Sequence, residues 1–232
     1  MTGGRTGPSE QGSAARRRRA TATPRLHVIC PDDVLRETDA VRSLAAVLDA
    51  GTDDFALHLR PRETPVRRCL ELARRLVPIA EDCGSWLVIN GRTDVARIAR
   101  PQAVQLGHGA LPVNIVRDLL GPGCAIGVSA HSPGDCRRAE QAGADYLLLG
   151  TIFPTPSHPG EPGSGLSLIA RCAGSDLPLI AIGGIDGSNV AEVLGAGAYG
   201  AAVVRAVWEA GDPVRAVRRL RASLERVASS GA

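Results

Sequence analysis

Eight short apolar runs, separated by amphipathic segments, constrain the fold of this chain more than any other feature of its sequence. Each run is rich in Val, Ile, Leu and Ala and has the length of a strand rather than a helix. The predicted strands cover residues 26–30, 55–59, 86–89, 103–106, 125–128, 146–149, 179–182 and 200–204. Helical patterns lie between them, at residues 38–50, 65–83, 93–99, 112–120, 133–142, 167–173, 189–196 and 213–229. Pro78 is predicted to kink or split the second of these helices.

Strands that alternate with helices predict a parallel sheet, and eight strands close naturally into a (β/α)8 TIM barrel. A doubly wound open sheet is the alternative, although the turn at residues 31–36 lacks the GxGxxG pattern of that fold. We predict one barrel domain over residues 25–232, preceded by a disordered tail at residues 1–24 that is rich in Arg, Gly, Ser, Thr and Pro.

Charge and cysteine usage exclude several classes of function. All 27 basic residues are Arg, so no lysine amine is present to form a Schiff base. Four of the Arg residues are clustered at positions 16–19 in the tail, and no basic face that would predict nucleic-acid binding is evident in the domain. The six Cys residues form no CxxC pair and no zinc-like cluster, which indicates reduced thiols in a cytoplasmic protein. No apolar stretch is long enough to predict a membrane span.

Polar residues follow the predicted strands at the end where barrel active sites lie. Four of the five His residues fall at this end, and imidazoles can transfer protons near neutral pH. Arg60 and Arg62 are suited to a carboxylate or phosphate, although a solvated pair is the alternative. The candidate residues are His58, Arg60, Arg62, Asn90, His108, Ser129, His131, Thr155, Ser157 and His158.

A phosphate site is predicted after the last two strands. Gly183 and Gly184 follow the seventh strand, and glycines let the backbone approach an anion. The helix that starts near Asn189 offers free N–H groups. A tight turn without a ligand is the alternative explanation.

Taken together, these pieces resemble the thiamine phosphate synthase/TenI superfamily over residues 26–229. The matching segments are HLRPR (58–62), INGRTDVA (89–96), VQLGHGALP (104–112), GVSAHS (127–132), GADYLLLGTIFPTPS (143–157), GSGLSLI (163–169), AIGGI (181–185) and GAGAYGAAVV (195–204). The resemblance implies a barrel that binds a small phosphorylated thiazole, with its phosphate near Gly165, Gly184, Val204 and Arg205. It also implies a homodimer.

The superfamily contains two activities. Its thiamine phosphate synthases join a pyrimidine pyrophosphate to a thiazole phosphate with magnesium, and the resemblance implies two metal-binding Asp residues, which here are Gly91 and Ala110. Magnesium needs oxygen ligands that Gly and Ala do not have. The TenI-type thiazole tautomerases need no metal, and the resemblance implies His131 as their catalytic residue.

We therefore predict a cofactor-free tautomerase that aromatises a carboxythiazole phosphate by acid/base catalysis at His131, with His58 as a second catalytic candidate. Two alternatives stay open. One is the synthase, with magnesium, and the other is a non-catalytic regulatory barrel that binds phosphate.

Overall fold

The computed structural model describes residues 23–156, 160 and 162–230 and contains eight parallel strands that close into a barrel in chain order. The first strand pairs with both the second and the last. The strands are β1 (Leu26–Cys30), β2 (Phe55–Leu59), β3 (Trp86–Asn90), β4 (Ala103–Leu106), β5 (Ala125–Ala130), β6 (Tyr146–Gly150), β7 (Leu179–Ile182) and β8 (Gly200–Val203). The TIM-barrel prediction is confirmed, and the open sheet is excluded. The predicted disordered tail lies, up to residue 22, outside the described residues.

Helices connect the strands and cover the outside of the barrel. They are α1 (Asp32–Arg36), α2 (Ala40–Gly51), α3 (Val66–Cys83), α4 (Thr93–Ala99), α5 (Val113–Leu120), α6 (Pro133–Gln141), α7 (Leu166–Cys172), α8 (Val190–Gly195), α9 (Arg205–Trp208) and α10 (Pro213–Ser230). The sequence pattern predicts neither α1 nor α9, since a single turn of helix is too short to show periodicity.

Pro78 does not split α3, which runs as one helix through it. Proline removes the hydrogen bond to the carbonyl four residues earlier, which here belongs to Arg74. Both Pro78 and Arg74 are exposed, so water can satisfy that carbonyl.

The core has two layers, one between the strands and the helices and one inside the barrel. The inner layer contains mostly Ala and Ile together with one large residue, Tyr146, which is fully buried. A Cβ at Gly127 would lie 2.2 Å from Cζ of Tyr146, so the glycine makes room for that ring. Placing a small residue opposite a large one is one way in which side chains fill a barrel interior.

None of the helices in the described part of the chain is long and apolar enough to cross a membrane. All six Cys residues lie within that part, and none takes part in a disulfide.

Candidate functional site

A cavity of about 510 Å³ opens at the carboxyl ends of the strands. Side chains from the barrel interior form its apolar floor, namely Ile29, Leu148, Ile182 and Ala202. Polar residues from the strand ends and the following loops surround this floor. A concave apolar site with a few convergent polar groups is typical of a small-molecule pocket.

One wall of the cavity has the features of a phosphate site. Gly183, Gly184, Val204 and Arg205 all line it. Helix α9 begins at Arg205, two residues after β8 ends at Val203, and its first backbone N–H groups have no partner within the helix. A short extra helix after strand 8, beside a glycine turn after strand 7, is the common phosphate-binding arrangement of such barrels.

The glycine turn needs glycine for packing as well as for backbone access. Gly183 and Gly184 have φ angles of +107° and +63°, in the region that favours glycine. A Cβ on Gly184 would lie 2.7 Å from the Cβ of Phe153 in the loop after β6. Asn189 braces the turn, because its Nδ2 donates a hydrogen bond to the Gly184 carbonyl at 2.9 Å.

His131 lines the same cavity, and its imidazole is held in one orientation. Its Nδ1 donates to the Gly150 carbonyl at 2.5 Å, and its backbone N–H donates to Oδ2 of Asp135 at 3.0 Å. Because a carbonyl can only accept, Nδ1 carries a proton and Nε2 of the neutral ring is an acceptor. The structure therefore gives His131 a defined tautomer at the edge of the pocket.

Arg60 lines the cavity as a half-buried cation that has no counter-ion among the described residues. Its guanidinium makes no hydrogen bond or ion pair with any residue that the structure describes. Burial lowers the pKa of Arg60, and the positive charge of Arg62 lowers it further. An unpaired guanidinium at a pocket wall is suited to an anionic ligand.

Arg62 is exposed and does not line the cavity, so the structure does not bring it together with Arg60 at the pocket. The alternation of side chains holds only while the chain is extended, and β2 ends at Leu59. Beyond it, the backbone N–H groups of Arg62 and Thr64 donate to Oδ1 of Asp32, which turns the chain away from the pocket.

His58 is also absent from the cavity wall, so only part of the predicted ring of His residues is found there. His58 belongs to β2 itself, and its side chain is fully buried inside the barrel. Its Nε2 lies 2.8 Å from Nδ1 of His27, and its Nδ1 lies 2.9 Å from Oδ1 of Asn90. Burial lowers the pKa of His58 to about 4. It is placed where it can act on Asn90 but not on a ligand.

Most of the other predicted residues do meet at the cavity. Asn90, His108, Ser129 and Thr155 line it, whereas Gly165 does not. Ser157 and His158 lie outside the described residues.

Four polar residues in the described part of the cavity wall are absent from the sequence prediction, namely Gln105, Thr151, Asp186 and Glu209. The alternation along β4 could have found Gln105, whose side chain faces inward and donates to Oγ of Ser129 at 3.2 Å. Asp186 lies just beyond the glycine turn, and Glu209 lies at the end of an unpredicted helix.

Comparison with known proteins assigns the barrel to a family. The TMP-TENI family model, described as thiamine monophosphate synthase, matches residues 26–207. The chain belongs to this family. It is 38% identical to the thiamine-phosphate synthase of Acidothermus cellulolyticus over 213 residues, which are 89% of this chain and 98% of the relative.

Two further proteins show the same similarity. The thiamine-phosphate synthase of Moorella thermoacetica is 40% identical over 174 residues, covering 74% of this chain and 82% of that one. The solved structure of a thiamine phosphate pyrophosphorylase from Pyrococcus furiosus has a TM-score of 0.78 at 31% identity, covering 90% of this chain and 98% of that one. These similarities indicate that this family member is an enzyme.

The prediction of a thiazole tautomerase is wrong, because the similar proteins at this level of identity carry the synthase name. The prediction gave two missing carboxylates more weight than the rest of the sequence. The absence of two carboxylates removes ligands for a magnesium ion, but it is not evidence for the chemistry of an isomerase.

The pocket residues that the structure describes do not form a carboxylate site for magnesium. Gly91 and Ala110 stand at the two positions where the resemblance implies Asp. Two carboxylates line the described part of the cavity. Oδ1 of Asp186 accepts hydrogen bonds from the backbone N–H and the hydroxyl of Ser188, and Oε2 of Glu209 lies 3.9 Å from Nη1 of Arg205. Within the described ranges, no group of three or more His, Cys, Asp or Glu residues could hold a metal. Magnesium in proteins usually takes one or two carboxylates together with substrate phosphates.

Proposed function

We propose that this chain is a transferase that joins a pyrimidine pyrophosphate to a thiazole phosphate and releases pyrophosphate. The observation that carries the proposal is one cavity with anion-binding groups on two walls. The first wall is the glycine turn with the start of α9, and the second is the guanidinium of Arg60, which forms no ion pair with any described residue. Two phosphorylated substrates in one site require two such places. The synthase name of the relatives supports the same reaction.

The phosphate of the thiazole would bind at the first wall. Backbone N–H groups at Gly184 and at the first residues of α9 offer donors whose positions the fold fixes. Such donors bind an anion without a side chain that must first be ordered. Arg205 stands at the same place and adds a positive charge.

The pyrophosphate of the pyrimidine would bind at Arg60. Charge builds up on the pyrophosphate as it leaves, and a half-buried cation stabilises that charge more strongly than a solvated one does. The described residues of the pocket include no cluster of carboxylates suited to a metal ion, so Arg60 would meet this charge. His131 lines the same cavity, and Nε2 of its neutral ring would accept a hydrogen bond that helps to orient the substrates.

The test is a direct assay of the purified full chain. Pyrimidine pyrophosphate and thiazole phosphate are mixed with the protein, and thiamine phosphate and pyrophosphate are both quantified. We expect the two products in equal amounts, with magnesium added and with EDTA added as separate reactions. The Acidothermus cellulolyticus protein, assayed in parallel, serves as the positive control.

Two results decide the outcome. Formation of thiamine phosphate above the background rate in either reaction establishes the activity. If the control protein turns over and this chain forms no thiamine phosphate in either reaction, the proposal is refuted.

A further inference from the structure

Three polar side chains form a continuous column inside the barrel across β1, β2 and β3. Nε2 of His27 lies 2.9 Å from the Pro24 carbonyl, and Nδ1 of His27 lies 2.8 Å from Nε2 of His58. Nδ1 of His58 lies 2.9 Å from the side-chain amide of Asn90. Both imidazoles are fully buried, while Asn90 lines the ligand cavity. The column thus connects the amino end of the barrel with the pocket.

The Pro24 carbonyl gives this column a direction. A carbonyl only accepts, so Nε2 of His27 must carry a proton, and Nδ1 of a neutral His27 is then an acceptor. Nε2 of His58 must donate to it, which leaves Nδ1 of His58 as an acceptor in turn. The last group in the column, Asn90, therefore has to donate.

Only the nitrogen of the Asn90 amide can donate. The atom 2.9 Å from His58 is Oδ1, so with neutral imidazoles two acceptors would face each other. A half-turn of the amide exchanges Nδ2 and Oδ1 without changing the shape of the side chain. A charged His58 ring could instead donate from Nδ1 to Oδ1. Burial lowers the pKa of His58 to about 4 and that of His27 well below its usual value, which disfavours such a charged ring.

We propose that His27 and His58 are positioning residues that turn the carbonyl oxygen of Asn90 into the pocket, where it accepts a hydrogen bond from an N–H donor of a substrate ring. No other side-chain hydrogen bond of Asn90 exists among the described residues to hold that oxygen elsewhere. The ring as ligand rests on the proposed function, whereas the orientation of the amide does not.

The orientation also determines which ligand groups are kept away. An amide oxygen carries partial negative charge and repels a phosphate oxygen, whereas an amide N–H would attract one. Asn90 would therefore receive the heterocycle, and the anionic groups would lie at Arg60 and at the glycine turn. The column makes one position of the pocket selective for a donor.

The orientation is tested first on the ligand-free chain by ¹⁵N NMR of the imidazoles, with His27 and His58 assigned from single variants. We expect protonated Nε2 and bare Nδ1 on both rings at neutral pH. A proton on Nδ1 of His58, in either a neutral or a charged ring, would overturn the proposal.

Two variants of Asn90 distinguish a hydrogen bond that Asn90 donates to His58 from a contact without donation. Asn90→Asp removes the donor, so His58 has to take a proton on Nδ1 and its spectrum changes. Asn90→Ala removes the contact but leaves the Pro24 carbonyl in control, so the tautomer of His58 stays the same. An unchanged His58 spectrum in Asn90→Asp contradicts the proposed direction.

The acceptor role is tested with two small probes, 4-aminopyrimidine and 4-methoxypyrimidine, which differ in the donor. We expect the amine to bind the wild-type chain roughly three- to tenfold more tightly, and this preference to vanish in Asn90→Ala. Equal affinities in the wild-type chain would overturn the acceptor role. If the expected imidazole spectra and probe preference are found in a chain without synthase turnover, the proposed function fails and this inference stands.

Discussion

Replacing Arg60 with alanine measures how much the pocket depends on its unpaired cation. The guanidinium is half-buried at the cavity wall and has no counter-ion among the described residues. A hydrogen bond to a charged group contributes about 1.5–3 kcal/mol, which corresponds to roughly 10- to 150-fold in affinity. We expect a loss of this size for inorganic pyrophosphate, measured by titration calorimetry with wild-type and Arg60→Ala chains.

The same substitution should leave the fold intact. Burial and the charge of Arg62 both lower the pKa of Arg60, so the folded state disfavours the charged form that the unfolded chain carries freely. Replacing Arg60 with alanine removes the free-energy cost of keeping this charged guanidinium in the folded state. We therefore expect the urea midpoint of Arg60→Ala to equal or exceed that of the wild type.

Arg62→Ala is the matched control, because it makes the same change in net charge two residues away at an exposed position outside the pocket. Its effect on pyrophosphate affinity should be less than about twofold. Equal losses in the two variants would mean that the general field of the protein attracts the anion. Unchanged affinity in Arg60→Ala would refute the contact altogether.

Three more substitutions probe the frame of the site. Trp208→Phe removes an indole N–H that donates to a β1 carbonyl at 2.9 Å, so urea unfolding should show a loss of about 1 kcal/mol and phosphate should bind more weakly; unchanged phosphate affinity would argue against α9 as its site. Gly184→Ala forces a side chain into a positive φ and should cost about 1–2 kcal/mol, whereas Gly187→Ala, where a Cβ meets nothing within 4 Å, should cost less; equal costs would rule out the strain. His27 and His58 have lowered pKa values, so the unfolded chain binds more protons and stability falls as the pH drops from about 6.5 towards about 4, by up to about 1.4 kcal/mol per pH unit for each ring. His58→Gln should make this slope shallower in urea unfolding at several pH values, and an unchanged slope would exclude His58 as its source.

The barrel is predictable from the sequence because its strands are buried on both faces. Such strands form continuous apolar runs, and all eight runs match a strand to within two residues at either end. Helices of one turn, such as α9, escape the prediction, since they have no periodicity. Yet α9 begins at Arg205, on the wall of the pocket.

The sequence predicts which residues lie at the carboxyl ends of the strands, but it does not predict the direction in which each side chain points. Residues after strand ends, such as His131 and Arg60, do line the cavity. Whether a side chain points inward depends on where the strand stops and which group turns the chain. His58 precedes the end of β2 and faces the interior, and Arg62 is diverted by Asp32. The local sequence pattern predicts neither of these two orientations.

The interior column has a consequence for how this barrel can diverge. An unpaired imidazole inside an apolar layer costs free energy, so an apolar replacement of His27 would leave Nε2 of His58 without an acceptor. A change at one of the three positions therefore favours compensating changes at the other two. Close homologues should show these positions substituting together, as a set that co-varies, while Arg60 and the glycine turn vary independently of it.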